Sequence, residues 1–313
     1  MQAAADVPGV RVGISVVPAT PELDRIRQLV TTADDVGLDV VGVQDHPYQG
    51  RFLDTWALIP TLLAQTTRVS LFTDVANLPL RPPAMMAKAA ASLDVLSGGR
   101  FDLGLGAGAF PEIVARLGGE VRTRGESIAA LEEAIDVIRL MWSAEPKVSF
   151  DGTYYQLKDA RPGPSPAHPV GIWLGAFKPR MLRLVGRKAD GWLPSLGVLT
   201  RDELREANRL IDASAEQAGR DPRSIRRILN LQGVIGDGPP PSRASLPVGY
   251  LAGEPLGGPH AFWVDTLAGF IADGFDTLVL WPVDATPEQV ELLAQVRAAL
   301  HDDATPVGRV DTG

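Results

Sequence analysis

The chain has no cysteine among its 313 residues, so disulfides, a thiolate nucleophile and Cys-ligated metals are excluded. Histidine is nearly as scarce. His46, His168, His260 and His301 are scattered without HxH or HExxH spacing, and no metal ligand is assigned. Basic residues are outnumbered, 30 Lys and Arg against 38 Asp and Glu. The formal charge of −8 speaks against nucleic acid as a partner, because nucleic-acid-binding surfaces are basic. No apolar run approaches the ~18 residues that suggest a membrane span. The opening MQAAADVPGV lacks both the basic and the apolar region of a signal peptide. The expectation is a soluble cytoplasmic protein with no membrane partner. Lysine is scarce beside arginine, and Ala, Gly and Pro abound, which suggests a GC-rich genome and nothing about chemistry.

What is present is an ordinary globular composition, 45% hydrophobic and 22% charged. The length suits two average domains or one large α/β barrel. The organising stretch is RVSLFTDVANLPLRPPAMMAKAAASLDVLSGGRFDLGLGAGAF, residues 68–110. It opens as an apolar strand, turns through Pro79 and Pro82-Pro83, runs as a helix to Ser97-Gly98-Gly99, and ends in a strand entering Gly106-Ala107-Gly108. Strand, helix, strand is a βαβ unit, with parallel neighbours and a right-handed crossover. Both strands then finish at one edge, where α/β folds place their chemistry.

The alternation continues on either side. Residues 10–17 and 38–43 read as strands, and 23–37 as a helix with apolar residues at helical spacing before Gly37. Residues 52–65 and 124–142 read as further helices. Residues 143–169 interrupt the pattern, with KVSFDGTYYQL as a hairpin and DARPGPSPAHP as a connection. Strands follow at 170–174, 191–194, 224–235 and 276–281, with helices at 180–187, 201–218, 262–274 and 287–300. The segment 236–260 is too long for an ordinary connection and reads as an active-site lid. Eight alternations predict a (β/α)8 TIM barrel, residues 1–313 as a single domain with insertions at 143–169 and 236–260. A doubly wound Rossmann sheet is the alternative, weakened because the first βα turn has no GxGxxG. The last dozen residues read as frayed.

Several residues at strand ends carry two readings each. Gly106-Ala107-Gly108 is either a tight turn or a place where free N–H groups meet a phosphate. Asp45-His46 either caps the second strand or puts an imidazole, able to exchange a proton near neutral pH, beside a substrate. Lys178 and Arg180 are solvated cations or anion partners. Trp173 and Trp192 read as core; Trp281, before Pro282, reads as packing or as a substrate contact, as does Tyr48. Arg124 and Glu126 read as structural, the glutamate suiting a helix start.

LDVLSGGRFDLGLGAG, with Thr73-Asp74-Val75 before it, resembles the signature of the bacterial luciferase-like flavin and deazaflavin oxidoreductases. The resemblance implies a bulge at Thr73, Asp74 and Val75 behind the cofactor ring, with a cis peptide at Asp74–Val75. From the residues alone an ordinary trans bond is expected, since cis bonds without proline are rare. It also implies that Gly106, Ala107 and Gly108, together with Gly175, Ala176, Phe177 and Lys178, hold the cofactor phosphate. The second loop is less glycine-rich than is usual in the family. The Asp45-His46 pair resembles the branch that uses coenzyme F420, with both side chains near the reacting carbon. Some F420-dependent dehydrogenases carry a glutamate directly after the loop glycines, where Ala109 stands here. The implied function is an F420-dependent oxidoreductase acting on a small molecule, in a homodimer. Alternatives are an FMN-dependent two-component monooxygenase fed reduced flavin by a separate reductase, a flavin-binding protein without turnover, and, least in keeping with the scarce histidines, a metal-dependent hydrolase.

Overall fold

A computed structural model describes residues 9–302. The expectation of a frayed C-terminus falls almost wholly outside that range. Eight parallel strands close into a barrel: β1 Arg11–Val16, β2 Val40–Val43, β3 Ser70–Thr73, β4 Phe101–Gly106, β5 Ile172–Leu174, β6 Gly191–Trp192, β7 Arg226–Ile235 and β8 Thr277–Pro282. Each pairs with its successor, and β8 closes on β1 with Arg11 opposite Thr277. The helices that return the chain are α1 Leu23–Asp35, α2 Thr55–Leu63, α3 Pro83–Ser97, α4 Arg124–Met141, α5 Pro179–Lys188, α6 Arg201–Gln217, α7 His260–Ala272 and α8 Pro287–Asp302. This is the predicted TIM barrel rather than a doubly wound sheet. No helix among the described residues is long and apolar enough to cross a membrane.

Local chemistry sets the element ends. Glu126 and Thr123 close a reciprocal capping box at the start of α4, and Thr200 with Glu203 does the same for α6. Helix α2 starts later than periodicity suggests because the Asp54 carboxylate accepts the Ala57 N–H at 3.0 Å and fixes the first turn there. Gly98 ends α3 in the left-handed conformation, φ 71°.

The apolar interior has two parts. One packs the helices onto the outer faces of the strands. The other lies inside the barrel: Val40, Phe72, Trp173, Leu193, Ile228 and Val279, with Val75 packed against them. Each such fully buried large side chain contributes roughly 1.5–3 kcal/mol. Phe72 and Trp173 meet edge to face at 5.1 Å. This layer is a solid floor, so a ligand can enter only above it, at the C-terminal ends of the strands.

The two insertions are ordered. Val148–Asp151 and Gln156–Ala160 form the expected antiparallel hairpin. The connection after it is held at the opposite end of the barrel by His168, whose Nδ1 is 2.5 Å from the Asp94 carboxylate and whose Nε2 is 3.6 Å from that of Asp102. Hydrogen bonding to Asp102, with both acid charges, raises the pKa of this imidazole against the opposing effect of burial. The segment after β7 is less irregular than its composition implies: Leu256–Gly258 adds a short parallel strand beside Gly233–Ile235.

Candidate active site

The third strand breaks as it reaches the mouth. Phe72 pairs with Asp102, and after Thr73 the chain resumes pairing with Ala76 opposite Leu105. Four residues of one strand thus face three of the next, a bulge of one residue. The Asp74–Val75 peptide within it is cis. Thr73 Oγ1 donates to the Gly104 carbonyl at 2.7 Å, tying the bulge to β4.

Glycines let the neighbouring tips close around the bulge. A Cβ on Gly104 would lie 1.9 Å from the Thr73 carbonyl oxygen. One on Gly106 would lie 2.9 Å from Val75 Cγ2, and one on Gly175 3.3 Å from the same methyl. Gly108, at φ 91°, faces Pro79 at 2.4 Å by the same construction. The absence of side chains therefore brings β3, β4 and β5 together on Val75. Beyond the glycines the main chain is open. Among the described residues, the N–H groups of Ala107, Gly108 and Ala109 and of Ala176, Phe177 and Lys178 donate no hydrogen bond. Lys178 is exposed at the start of α5, whereas Ala176 is buried and its carbonyl accepts the Trp192 indole N–H at 2.9 Å.

Asp45 and His46, at the end of β2, diverge. The buried Asp45 carboxylate accepts the Asn77 N–H at 3.0 Å; burial raises its pKa against the pull of that bond and of Arg81. The His46 ring stacks on Tyr48 at 5.1 Å, and Tyr48 meets Phe110 edge-on at 5.8 Å. Burial lowers the His46 pKa to about 4, so this imidazole is neutral at pH 7. Burial and the nearby Asp45 push the Tyr48 phenol up to about 12.

Asp74 lies at the centre. It accepts Ser15 Oγ and Asn230 Nδ2, each at 3.0 Å, so β1, β3 and β7 converge on one carboxylate. Burial raises its pKa to about 6, and the two hydrogen bonds oppose that shift. At the strand ends of the mouth, the amide oxygens of Gln44, Asn77, Asn230 and Gln232 are buried with no partner, as is Trp281 Nε1. Of these side chains Asn230 is the one bonded to Asp74, and the Gln44 oxygen lies beside Gly249. Unpaired buried polar atoms are uncommon, and a cluster of them at a barrel mouth suits a ligand with a polar edge. Ser15, Asn230 and Gln232 had escaped sequence reasoning. Their signal was visible all the same: Asn230 and Gln232 alternate within RILNLQGVI and so share the face turned into the barrel.

A cavity of about 660 Å³ lies beside this arrangement. It is bounded by the ends of β1 and β8, the start of α1, and the segment containing Pro247, Val248 and Tyr250. Ser15 and Trp281 line it; His46, Tyr48, Val75 and the two glycine loops do not. Its roof hangs from the barrel: Gln44 Nε2 donates to the Gly249 carbonyl at 2.8 Å, and Gln232 Nε2 to those of Leu251, at 3.2 Å, and Gly253. Tyr250 donates to the Pro282 carbonyl at 3.3 Å. Metal-binding clusters of His, Cys, Asp and Glu are absent among the described residues.

The model of the luciferase-like monooxygenase family matches residues 8–254. The chain is 34% identical over 209 residues to an F420-dependent glucose-6-phosphate dehydrogenase of Amycolatopsis mediterranei, covering 64% of this chain and 62% of that one. It is 32% identical over 231 residues to an F420-dependent hydroxymycolic acid dehydrogenase of Mycobacterium tuberculosis, 71% of this chain and 62% of that one. Both matches span less than two thirds of the relative. In fold it resembles an F420-dependent secondary alcohol dehydrogenase solved with an F420–acetone adduct, TM-score 0.81 over 93% of this chain and 99% of that one. At 18% identity that likeness concerns the fold alone.

Proposed function

Because the chain belongs to the luciferase-like monooxygenase family, we propose that it is an F420-dependent oxidoreductase, moving a hydride between the deazaflavin coenzyme and a small organic substrate. The likeness to dehydrogenases named for F420 carries the choice of coenzyme, and the Asp45-His46 pair supports it. The residues present suit such a group. The unpaired N–H groups at 107–109 and 176–178 would hold its phosphate, with Lys178 adding charge at the edge. The unpartnered amide oxygen of Asn230, whose nitrogen is bonded to Asp74, would accept a hydrogen bond from the polar edge of its ring, and Val75 would back that ring.

When bound, the coenzyme supplies the two-electron chemistry. The protein handles the proton. A neutral His46 accepts it at a ring nitrogen when an alcohol is oxidised, and burial, which lowers the His46 pKa, favours this direction over proton donation at pH 7. Stacking on Tyr48 fixes the plane of the imidazole. Asp45, bonded to the Asn77 main chain, positions the strand end. With Ala109 where some relatives have a glutamate, this work falls to His46 alone. Ala109 also favours a second reading, an FMN-dependent monooxygenase that takes reduced flavin from a separate reductase and uses O2. The homodimer implied by the resemblance and a cytoplasmic location belong to the same proposal.

Titration with F420 and with FMN, followed by fluorescence quenching, tests the reading. F420 is expected to bind. Tight FMN binding without a response to F420 would transfer the assignment to the second reading, and failure of both would remove the enzyme reading. His46→Ala is expected to keep coenzyme affinity and lower turnover about 10²–10⁴-fold. Unchanged turnover would take His46 out of the reaction.

A further inference from the structure

We infer that the 660 Å³ cavity beside β1 and β8 is a substrate compartment, and that it takes a neutral, largely apolar alcohol or carbonyl compound rather than a phosphorylated one. The oxygen function in this inference rests on the proposed oxidoreductase activity; the location and polarity rest on the cavity itself.

The compartment meets the barrel wall at Ser15, while His46 and Val75 lie outside its lining. Ser15 lines its inner end, and the same hydroxyl donates to Asp74, next to Val75 and the candidate ring position. Trp281 forms the neighbouring wall. A molecule lying in the cavity would have its inner end at Ser15, one hydrogen bond from Asp74, and would extend its oxygen function past Ser15 to meet His46. Elsewhere in the cavity Val16, Ile26, Leu29, Phe52 and Val283 supply the apolar part of the walls, with Gln49 and Tyr250 as uncharged polar neighbours. The volume lies in the range of pockets that enclose a medium-sized organic molecule.

Charge decides between substrate classes. The charged lining residues are Glu22, Arg25, Arg51 and Asp284, two of each sign. Glu22 and Arg25 pair with each other at 3.3 Å. What remains is one arginine and one aspartate, a balance that provides no net attraction for a phosphate dianion. Phosphate recognition needs convergent charge-assisted donors, and those in this structure lie across the mouth, at the glycine loops. Where a sugar phosphate met Val16, Ile26 and Leu29, its hydroxyls would find no partner. An aliphatic ketone or alcohol leaves nothing unpaired along the walls.

The test is direct binding to the apo protein by calorimetry, with 2-octanone and 1-octanol as probes and glucose 6-phosphate as competitor. Both octyl compounds are expected to bind and glucose 6-phosphate not to displace them. Ala285→Trp fills the cavity from a loop and should weaken 2-octanone binding about tenfold or more, at an unchanged unfolding midpoint and F420 affinity. If that variant is unstable, Ala19→Phe fills the space from the facing side. Arg51→Ala should leave 2-octanone binding as it was. Tighter binding of glucose 6-phosphate than of the octyl probes, absence of octyl binding, or octyl binding untouched by the filled cavity would overturn the inference. F420 binding is measured separately. A protein that binds the ketone through this cavity but not F420 would retain the apolar compartment and lose the coenzyme assignment. A protein that binds F420 but no octyl compound would do the reverse.

Discussion

The two sides of the barrel mouth are built on opposite principles. On the side of β3, β4 and β5, surfaces are made by main chain: glycines at 104, 106 and 175 bring three strand tips against Val75 and leave rows of N–H groups open. On the side of β8 and β1, side chains make the surfaces and leave a cavity of about 660 Å³. The difference teaches where variation is cheap. A surface made of peptide groups keeps its chemistry whatever the neighbouring sequence does, and tolerates almost no added atom. A surface made of side chains changes with every substitution and has room for it. The first suits a group that stays the same between relatives, the second a group that differs.

The sharpest way to break this contrast is Gly104→Ala. Its Cβ would lie 1.9 Å from a main-chain oxygen, which no rotamer change relieves, so a loss of about 3 kcal/mol or more is expected in urea unfolding. A near-neutral result would mean that the strand tips are not closely packed. Next in size is Asp74→Asn, at the seam between the two sides. The Asp74 pKa is raised to about 6 in the fold from an ordinary 3.8, so the folded state holds the proton more tightly than the unfolded chain. Wild-type stability should therefore fall as pH rises from about 4 to about 6 and stay lower above that, by at most about 3 kcal/mol. The amide removes the titration, so its unfolding midpoint should exceed that of wild type at pH 8 and lose the advantage at pH 4. A midpoint below wild type at pH 8 would show that the carboxylate is instead stabilised by its Ser15 and Asn230 bonds. The smallest effect belongs to Lys178→Ala. If peptide groups hold the phosphate, coenzyme affinity should fall by less than about tenfold and lose part of its salt dependence. Abolished binding would move recognition from the main chain to that side chain.

The sequence made the barrel legible because its strands are short apolar runs and its helices keep a 3.6-residue period between glycine stops. Shifts at the ends have local causes, such as Asp54 capping α2 three residues beyond its expected start. The main-chain side of the mouth was legible in part, since a glycine marks a place where backbone must come close; the resemblance named Gly106 and Gly175, and the close approach at Gly104 was not singled out. The other side was not. Its cavity joins residues near 16–29, 49–52, 247–250 and 281–285, which no spacing rule brings together. Tyr48 and Trp281, paired in the sequence as substrate contacts, separate here: Trp281 lines the cavity, while Tyr48 stacks on His46 and meets Phe110 edge-on. Asp74 was legible only as part of the bulge. Its role as a buried titrating group depends on Ser15 and Asn230, far away in the chain.

Gln44 and Gln232 are each divided between two duties. Their nitrogens suspend the canopy at Gly249, Leu251 and Gly253, and their oxygens are left buried without a partner. A guest that engages those oxygens grips the same two amides from which the canopy is slung. Whatever turns either amide thus shifts the ceiling as well, so that guest and ceiling share one pair of hinges.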